Sequence, residues 1–177
     1  EVQTFAASLF GKQLVTKQTD AHGKGVYRLW VEGASDIAKE LYLGFVLDRS
    51  SQRVMIVASS EGGMEIEEIS ASRPESIVRS TVEPAVGLQE FQAREIAYAL
   101  GIPAALTQQM VRTLQGCYRA FRELDATMVE INPLVVTADN RILALDAKMT
   151  FDTNALFRHP LIAELRDKSQ EDPRESR

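Results

Sequence analysis

The sequence contains few of the residues that form disulfides and structural zinc sites. Cys117 is the only cysteine, and His22 and His159 are the only histidines. A single cysteine excludes a disulfide within the chain, and this set does not provide the Cys/His cluster that holds structural zinc. Any metal bound by this chain is therefore expected to have oxygen ligands.

Long hydrophobic runs and an excess of positive charge are also missing. No run of about 18 or more apolar residues occurs, and the N-terminal segment lacks the basic flank and apolar region of a signal peptide. The chain has 20 Lys and Arg against 25 Asp and Glu, whereas nucleic-acid binders need clustered positive charge. We expect a cytoplasmic protein, or a mitochondrial matrix protein if eukaryotic, that binds neither membranes nor nucleic acid.

What is present is the composition of an ordinary globular protein, with 45% hydrophobic and 25% charged residues in a chain of 177. Residues 1–11 have the pattern of a helix that ends at Gly11, without a capping residue before it. Residues 166–177 are polar and contain Pro173, as a linker would. We expect one domain over 1–165, a linker over 166–177, and a longer parent protein.

Hydrophobic periodicity predicts hairpins of strands with helices inserted between them. Such an order indicates an α+β domain with a mostly antiparallel sheet. The predicted strands are 26–32, 37–50 and 53–59, of which the last two form a hairpin, and the predicted helices are 64–70, 88–100 and 106–124.

Polar residues occur in the hairpin from Glu130 to Lys148 where a buried hairpin would have none. Glu130 and Asn132 share one face of their strand, because side chains alternate along a strand. If the turn is residues 138–140, Asn132 faces Asp146 and Glu130 faces Lys148. Carboxylate and amide oxygens suit Mg²⁺, which takes its other ligands from water and substrate phosphates.

A plainer interpretation of this hairpin stays open. The same Glu/Lys and Asn/Asp pairs also occur on solvated sheet faces, where they contribute little to stability. Pro133 indicates an edge or a bulge, which could change the register of the pairing. On that interpretation the chain is a solvated α+β domain without a site.

Three segments closely resemble the β subunits of succinyl-CoA synthetase and malate–CoA ligase, and together the resemblance covers essentially the whole chain. The segments are VEINPLVVTADNRILALDAKMTFDTNALFR, IAKELYLGFVLDRSSQRVMIVASSEGGMEIEEI and SQEDPRE. The resemblance implies the central part of an ATP-grasp domain, with the family's glycine-rich phosphate loop and nucleotide-binding lysine upstream and its CoA-ligase domain downstream. A fragment of this kind is expected to be inactive alone.

The resemblance also implies a chemistry. In this family the β chain binds a magnesium nucleotide, ATP/ADP or GTP/GDP, and a histidine of an α subunit carries the phosphoryl group. The dicarboxylic acid becomes an acyl phosphate and then its CoA thioester, in an αβ or α2β2 complex. By resemblance Asn132 and Asp146 match the magnesium ligands, and Glu130 matches the carboxylate that meets the phosphohistidine. The matching nucleotide contacts are Glu32, Ser35 and Glu40.

The histidines and the paired glycines have plain interpretations outside the site. His22 and His159 are interpreted as surface histidines, and Gly62 and Gly63 as a turn whose acidic surroundings make a poor phosphate cradle. A nucleotide-binding or scaffold module without catalysis is the alternative function from another class, because one fold can serve many purposes.

Overall fold

A computed structural model describes residues 1–16, 19 and 21–165. The chain divides into two compact units, one over residues 1–35 and the other from residue 36 onward. The linker predicted over 166–177 lies outside the described residues. Within the part that is described, no helix is both long and apolar enough to cross a membrane.

The first unit consists of one helix and a short two-stranded ladder. Helix α1 spans Val2–Leu9, as the sequence predicts, and β1 (Gln13–Leu14) pairs antiparallel with β2 (Lys24–Gly25). No described residue of this unit is buried. Its helix and ladder therefore enclose no apolar core of their own.

The strand predicted over 26–32 is wrong, because this segment has no regular secondary structure. Its alternation of apolar and polar residues does not provide the partner strand that a β-ladder requires. Tyr27 is 80% exposed and Trp30 is 87% exposed, so both sides of the segment face solvent.

The second unit contains all the remaining elements. Three short 3₁₀ turns, Pro74–Ser76, Ala104–Leu106 and Thr153–Arg158, connect them. In chain order the elements are β3 (Ile37–Asp48), β4 (Arg53–Ser59), α2 (Ile66–Ser72), β5 (Ile77–Val82), α3 (Glu90–Ala99), α4 (Thr107–Glu123), β6 (Ala126–Thr137), β7 (Ile142–Ala144), β8 (Ala147–Phe151) and α5 (Pro160–Ala163).

The strands of the second unit form one sheet in the order β5-β4-β3-β6-β7, with β8 also paired to β6. Every pair is antiparallel, which confirms the predicted α+β class and the β3–β4 hairpin. The three predicted helices correspond to α2, α3 and α4. The edge strand β5 was not predicted, since its polar centre, Arg79 to Thr81, gives little hydrophobic signal.

The core lies between one face of this sheet and the helices α3 and α4. Phe45 of β3 and Ile131 of β6 belong to the same buried cluster as Ile96 of α3 and Leu114 of α4. Phe45 and Leu114 are fully excluded from solvent. At about 25 cal/mol per Å² of apolar area, this burial is the main source of the unit's stability.

The opposite face of the sheet carries α2 and the hairpin's polar residues. Register alignment places Tyr42, Gly44 and Val46 of β3 on this face, because alternate residues of a strand point the same way. Ile66 of α2 and Tyr42 line one groove, so α2 lies against this side. We call it the outer face.

Candidate functional site

The register of the polar hairpin agrees with the sequence prediction. The amide of Thr137 donates to the carbonyl of Arg141 at 2.9 Å, so residues 138–140 form the turn. Asn140 has φ of 60°, a left-handed conformation that asparagine tolerates. From this turn the pairing runs through Val136 and Ile142 to Glu130 and Lys148. Glu130 therefore lies directly opposite Lys148, as predicted.

Asn132 and Asp146 are opposite each other where the hairpin ladder is interrupted. The backbone N–H of Asn132 donates to the backbone carbonyl of Asp146 at 3.2 Å. Asp146 is exposed and lies between β7 and β8. This break leaves the Asp146 carboxylate accessible to a ligand while its backbone remains tied to β6.

A bulge lies at the same level on the other side of β6. Leu41 pairs with Leu134 and Leu43 pairs with Ile131, so Tyr42 is opposed by both Asn132 and Pro133. The irregularity that Pro133 predicted is therefore present between β6 and β3, while the register between β6 and its return strands is kept from Met128 to Val136. Bulges of this kind are common beside functional sites, since they redirect a side chain.

The side chain of Asn132 is held by the loop that precedes α2. The amide of Gly63 donates to Asn132 Oδ1 at 2.9 Å, and Asn132 Nδ2 donates to the carbonyl of Met64 at 2.8 Å. A Cβ added at Gly63 would collide with Glu40 Oε2. The loop thus joins the predicted nucleotide contact Glu40 to the predicted metal ligand Asn132.

The acidic sequence around Gly62 and Gly63 does not suit a phosphate, so the sequence does not predict this loop as part of the site. The two contacts with Asn132 bridge 69 and 68 positions of sequence, which no local pattern reveals. The adjacent glycines Gly62 and Gly63 were the available signal, because paired glycines after a central strand often mark a close backbone approach.

Tyr42 is a further residue of the outer face that the sequence analysis did not select. A Cβ added at Gly44 would lie 2.9 Å from the Tyr42 hydroxyl oxygen, so the tyrosine ring lies over Gly44. Gly44 is the strand partner of Glu130. Burial, and then the negative charges of Glu130, Glu67 and Glu65, raise the pKa of Tyr42 to about 12.

The predicted site residues are divided between the two units. Glu32 and Ser35 lie in the first unit, where Glu32 Oε2 accepts a hydrogen bond of 3.3 Å from Trp30 Nε1. The second unit contains the remaining predicted residues, which are Glu40, Glu130, Asn132 and Asp146. The second unit alone therefore carries all the predicted metal-binding and catalytic residues.

The donor set of the hairpin fits a magnesium ion that arrives with a phosphorylated substrate. The described residues include no group of three or more His, Cys, Asp or Glu able to hold a metal. The described part of the chain therefore does not form a complete protein cage for a metal. Magnesium often binds through one or two protein oxygens, with water and substrate phosphates as its other ligands. Asn132 and Asp146 can supply an amide oxygen and a carboxylate oxygen of this kind.

His159 is more enclosed than the surface histidine that was expected. Its side chain is 16% exposed, and its Nε2 lies 2.6 Å from Asp125 Oδ2. Arg158 Nε also contacts this carboxylate, at 2.7 Å. His22 is exposed in a turn. The structure therefore gives His159 a role in attaching the segment after β8 to the turn before β6.

Comparison with known proteins identifies relatives of this chain. A family profile described as an ATP-grasp domain matches residues 1–136. A probable malate–CoA ligase subunit β from Mesorhizobium japonicum is 58% identical over 176 residues. A succinate–CoA ligase [ADP-forming] subunit β from Geobacillus thermodenitrificans is 53% identical over 175 residues. Each alignment covers 99% of this chain but only 45% of the relative, so the chain spans less than half of their length.

Solved structures share the fold at low sequence identity. ATP citrate lyase from Methanothrix soehngenii, in complex with citrate and coenzyme A, matches with a TM-score of 0.59 and 15% identity. The match covers 88% of this chain and 34% of that one. A variant of ATP citrate lyase from Methanosaeta concilii, with (3S)-citryl-CoA, has the same TM-score of 0.59 at 12% identity and covers 94% of this chain and 36% of that one. At these identities the likeness concerns the fold alone.

Proposed function

Because this chain belongs to the ATP-grasp family, we propose that it is the magnesium- and nucleotide-binding part of the β subunit of an acid–CoA ligase. The observation that carries the proposal is an identity of 58% and 53%, over 99% of the chain, to β subunits named for malate–CoA and succinate–CoA ligases. The proposed acid is accordingly succinate or malate. A cytoplasmic location stays a prediction.

The proposed reaction divides acyl-CoA synthesis into three transfers. A nucleoside triphosphate, ATP or GTP, gives its terminal phosphoryl group to a histidine of a separate α subunit, in an αβ or α2β2 complex. The acid takes this group to form an acyl phosphate, and the CoA thiol then displaces phosphate to form the thioester. His159 is a poor candidate for the phosphorylated histidine, because its Nε2 is bound to Asp125.

Each predicted residue has a defined task in this proposal. Asn132 and Asp146 would hold Mg²⁺, which supplies positive charge against the phosphate oxygens when it is bound. Glu130 would face the phosphohistidine of the α subunit, and Lys148 lies opposite it on β8. The proposed contacts with the base and ribose of the nucleotide are Glu32, Ser35 and Glu40.

Calorimetric titration of the chain with ADP tests this function. We expect heat of binding that depends on magnesium and that is lost in Asp146→Asn, because the substitution removes the charged oxygen from the proposed metal site. Asp139→Asn is the matched control, since Asp139 lies in the turn of the same hairpin and pairs with Arg141 rather than with a ligand. Binding that persists unchanged in Asp146→Asn would contradict the assignment of the metal site.

The same titration with a full-length β subunit separates two reasons for an absence of binding. Restored binding would show that affinity needs segments outside this chain, whereas continued absence would contradict the function itself. Magnesium-dependent binding without phosphorylation of an added α subunit would instead favour a nucleotide-binding module that has no catalytic role.

A further inference from the structure

We propose that the loop Gly62–Gly63–Met64, here the glycine loop, is a positioning element that fixes the side-chain amide of Asn132 for metal binding. This inference rests on the proposed function, because it concerns the same metal site. It adds residues that neither the hairpin pattern nor the resemblance assigns to that site.

Two hydrogen bonds to the loop set the orientation of the Asn132 side-chain amide. Gly63 N–H donates to Asn132 Oδ1 at 2.9 Å, and Asn132 Nδ2 donates to the carbonyl of Met64 at 2.8 Å. Reversing the amide would set donor against donor and acceptor against acceptor, so these two bonds determine which way the oxygen points. An amide oxygen has two lone pairs, and Gly63 occupies one of them. The other remains available to a cation without release of the loop.

Only glycine permits the loop to come this close to β3. A Cβ at Gly62 would lie 2.5 Å from the nitrogen and 2.6 Å from the carbonyl oxygen of Leu41, and backbone atoms of a central strand cannot move aside. Gly63 has φ of +70°, where other residues are strained, and its added Cβ would meet the Glu40 carboxylate. The two glycines therefore allow the loop to pack between β3 and Asn132.

Both ends of the loop are anchored. Before it, the amide of Glu61 donates to Ser59 Oγ at 3.1 Å, and the Glu61 carboxylate pairs with Arg73 at 2.9 Å. After it, Ile69 of α2 is only 1% exposed. A loop held at both ends can fix the orientation of its neighbour, which is what a precise ligand site requires.

These contacts also explain why residue 132 is an asparagine. An aspartate would place a carboxylate oxygen against the carbonyl of Met64, since it has no N–H to donate. The loop therefore selects an amide at this position, in addition to any preference of the metal. Loss of groups that orient a metal ligand typically lowers metal affinity by about 10- to 100-fold.

Manganese titration followed by NMR tests the inference, because this paramagnetic ion broadens signals even when it binds weakly. The chain is compared with Gly62→Ala, Gly63→Ala and Gly116→Ala. An added Cβ at Gly116 has no heavy atom within 4 Å, so this variant is the matched control for a glycine substitution. Amide exchange in β3 and β4 reports whether each variant keeps the fold.

We expect the two loop variants to bind manganese at least about tenfold more weakly at the hairpin, with β3 and β4 still protected. The side-chain amide protons of Asn132 should exchange slowly in the unsubstituted chain and in Gly116→Ala, but quickly in the loop variants. Gly63→Ala strains the loop backbone at its positive φ but meets no backbone atom of β3, so it keeps the test decisive if Gly62→Ala fails to fold.

Unchanged manganese affinity in a folded loop variant would overturn the inference and leave the proposed function intact. Rapid exchange of the side-chain amide protons of Asn132 in the unsubstituted chain would also overturn the inference. Manganese could also leave the NMR signals of the hairpin unbroadened while the side-chain amide of Asn132 stays protected. That result would contradict the proposed metal site, and the positioning inference would fail with it.

Discussion

At the scale of single residues, the outer face contains a buried tyrosine whose surroundings include several carboxylates. Tyr42 lies over Gly44, and Gly44 pairs with Glu130. Burial disfavours the phenolate, and the negative charges of Glu130 and Glu67 disfavour it further. The neutral phenol can donate a hydrogen bond, and the raised pKa of Tyr42 keeps the phenol neutral at neutral pH.

The raised pKa of Tyr42 predicts a loss of stability at alkaline pH. The folded state keeps the phenol neutral up to about pH 12, whereas an unfolded tyrosine ionises near pH 10. The contribution of Tyr42 is therefore complete below about pH 10 and is lost as the pH rises toward 12. Urea unfolding across this range should show a decline that Tyr42→Phe reduces. Tyr98→Phe, at a side chain that is 62% exposed, should leave the decline unchanged.

Asp125 gives a second prediction, at the acidic end of the pH range. Hydrogen bonds from Arg158 and then His159 lower the pKa of Asp125 to about 2. The carboxylate therefore stabilises the fold fully above its unfolded pKa near 4, and this contribution disappears as the pH falls from about 4 to about 2. We expect Asp125→Asn to be less stable than the unsubstituted chain at neutral pH and to lose less on acidification.

Asparagine is the informative substitution for Asp125. The backbone at this position has φ of 50°, which asparagine adopts without much strain. Urea unfolding at neutral and acidic pH measures the effect. Asp36→Asn is the control, since it removes the same charge where no ion pair is described. Equal behaviour of the two variants would show that the contacts of Arg158 and His159 do not stabilise the fold.

At the scale of elements, the boundary after α3 depends on a glycine and a lysine. Leu100 is the C-cap of this helix, and Gly101 follows with φ of +67°. Lys39 Nζ donates to the carbonyl of Leu100 at 2.8 Å and so satisfies one of the last acceptors of the helix. The end of α3 is thereby fixed to the start of β3, beside Glu40.

Two alanine substitutions should have opposite effects on stability. Gly116→Ala, inside α4, should raise the free energy of unfolding by about 0.5–1 kcal/mol, because alanine favours the helix and its Cβ meets no neighbour. Gly101→Ala should lower it by about 1 kcal/mol, because its Cβ has room beside Lys39 but its positive φ is strained. Urea midpoints at an equal m-value measure both changes. Effects of the same sign would refute this explanation.

The comparison of sequence with structure shows which elements a local pattern can predict. The polar hairpin was predicted in register because its turn residues, such as Asn140, and the strict alternation of its strands constrain the pairing. The glycine loop was not assigned to the site, because its contact with Asn132 is distant in sequence. The strand over 26–32 was wrong because alternation describes one strand and cannot supply its partner. The roles assigned to Glu130, Asn132 and Asp146 stay predictions.

At the scale of the whole molecule, buried residues are concentrated in the second unit. The described residues before position 36 include none that is buried, whereas β3 alone contributes Leu41, Leu43 and Phe45 to the core. Several large apolar side chains of the first unit are exposed, among them Phe5 and Trp30.

This difference predicts two levels of stability within one chain. Segments with little buried apolar area open at a small fraction of the free energy needed for global unfolding. In hydrogen exchange followed by mass spectrometry, we expect peptides from the described segments 1–16 and 21–35 to exchange early and peptides from β3, β6 and α4 to exchange last. Fluorescence of Trp30, the single tryptophan, should indicate a solvent-exposed indole before any denaturant is added. Slow exchange over 24–35, equal to that of β6, would show instead that the first unit is stabilised as strongly as the sheet.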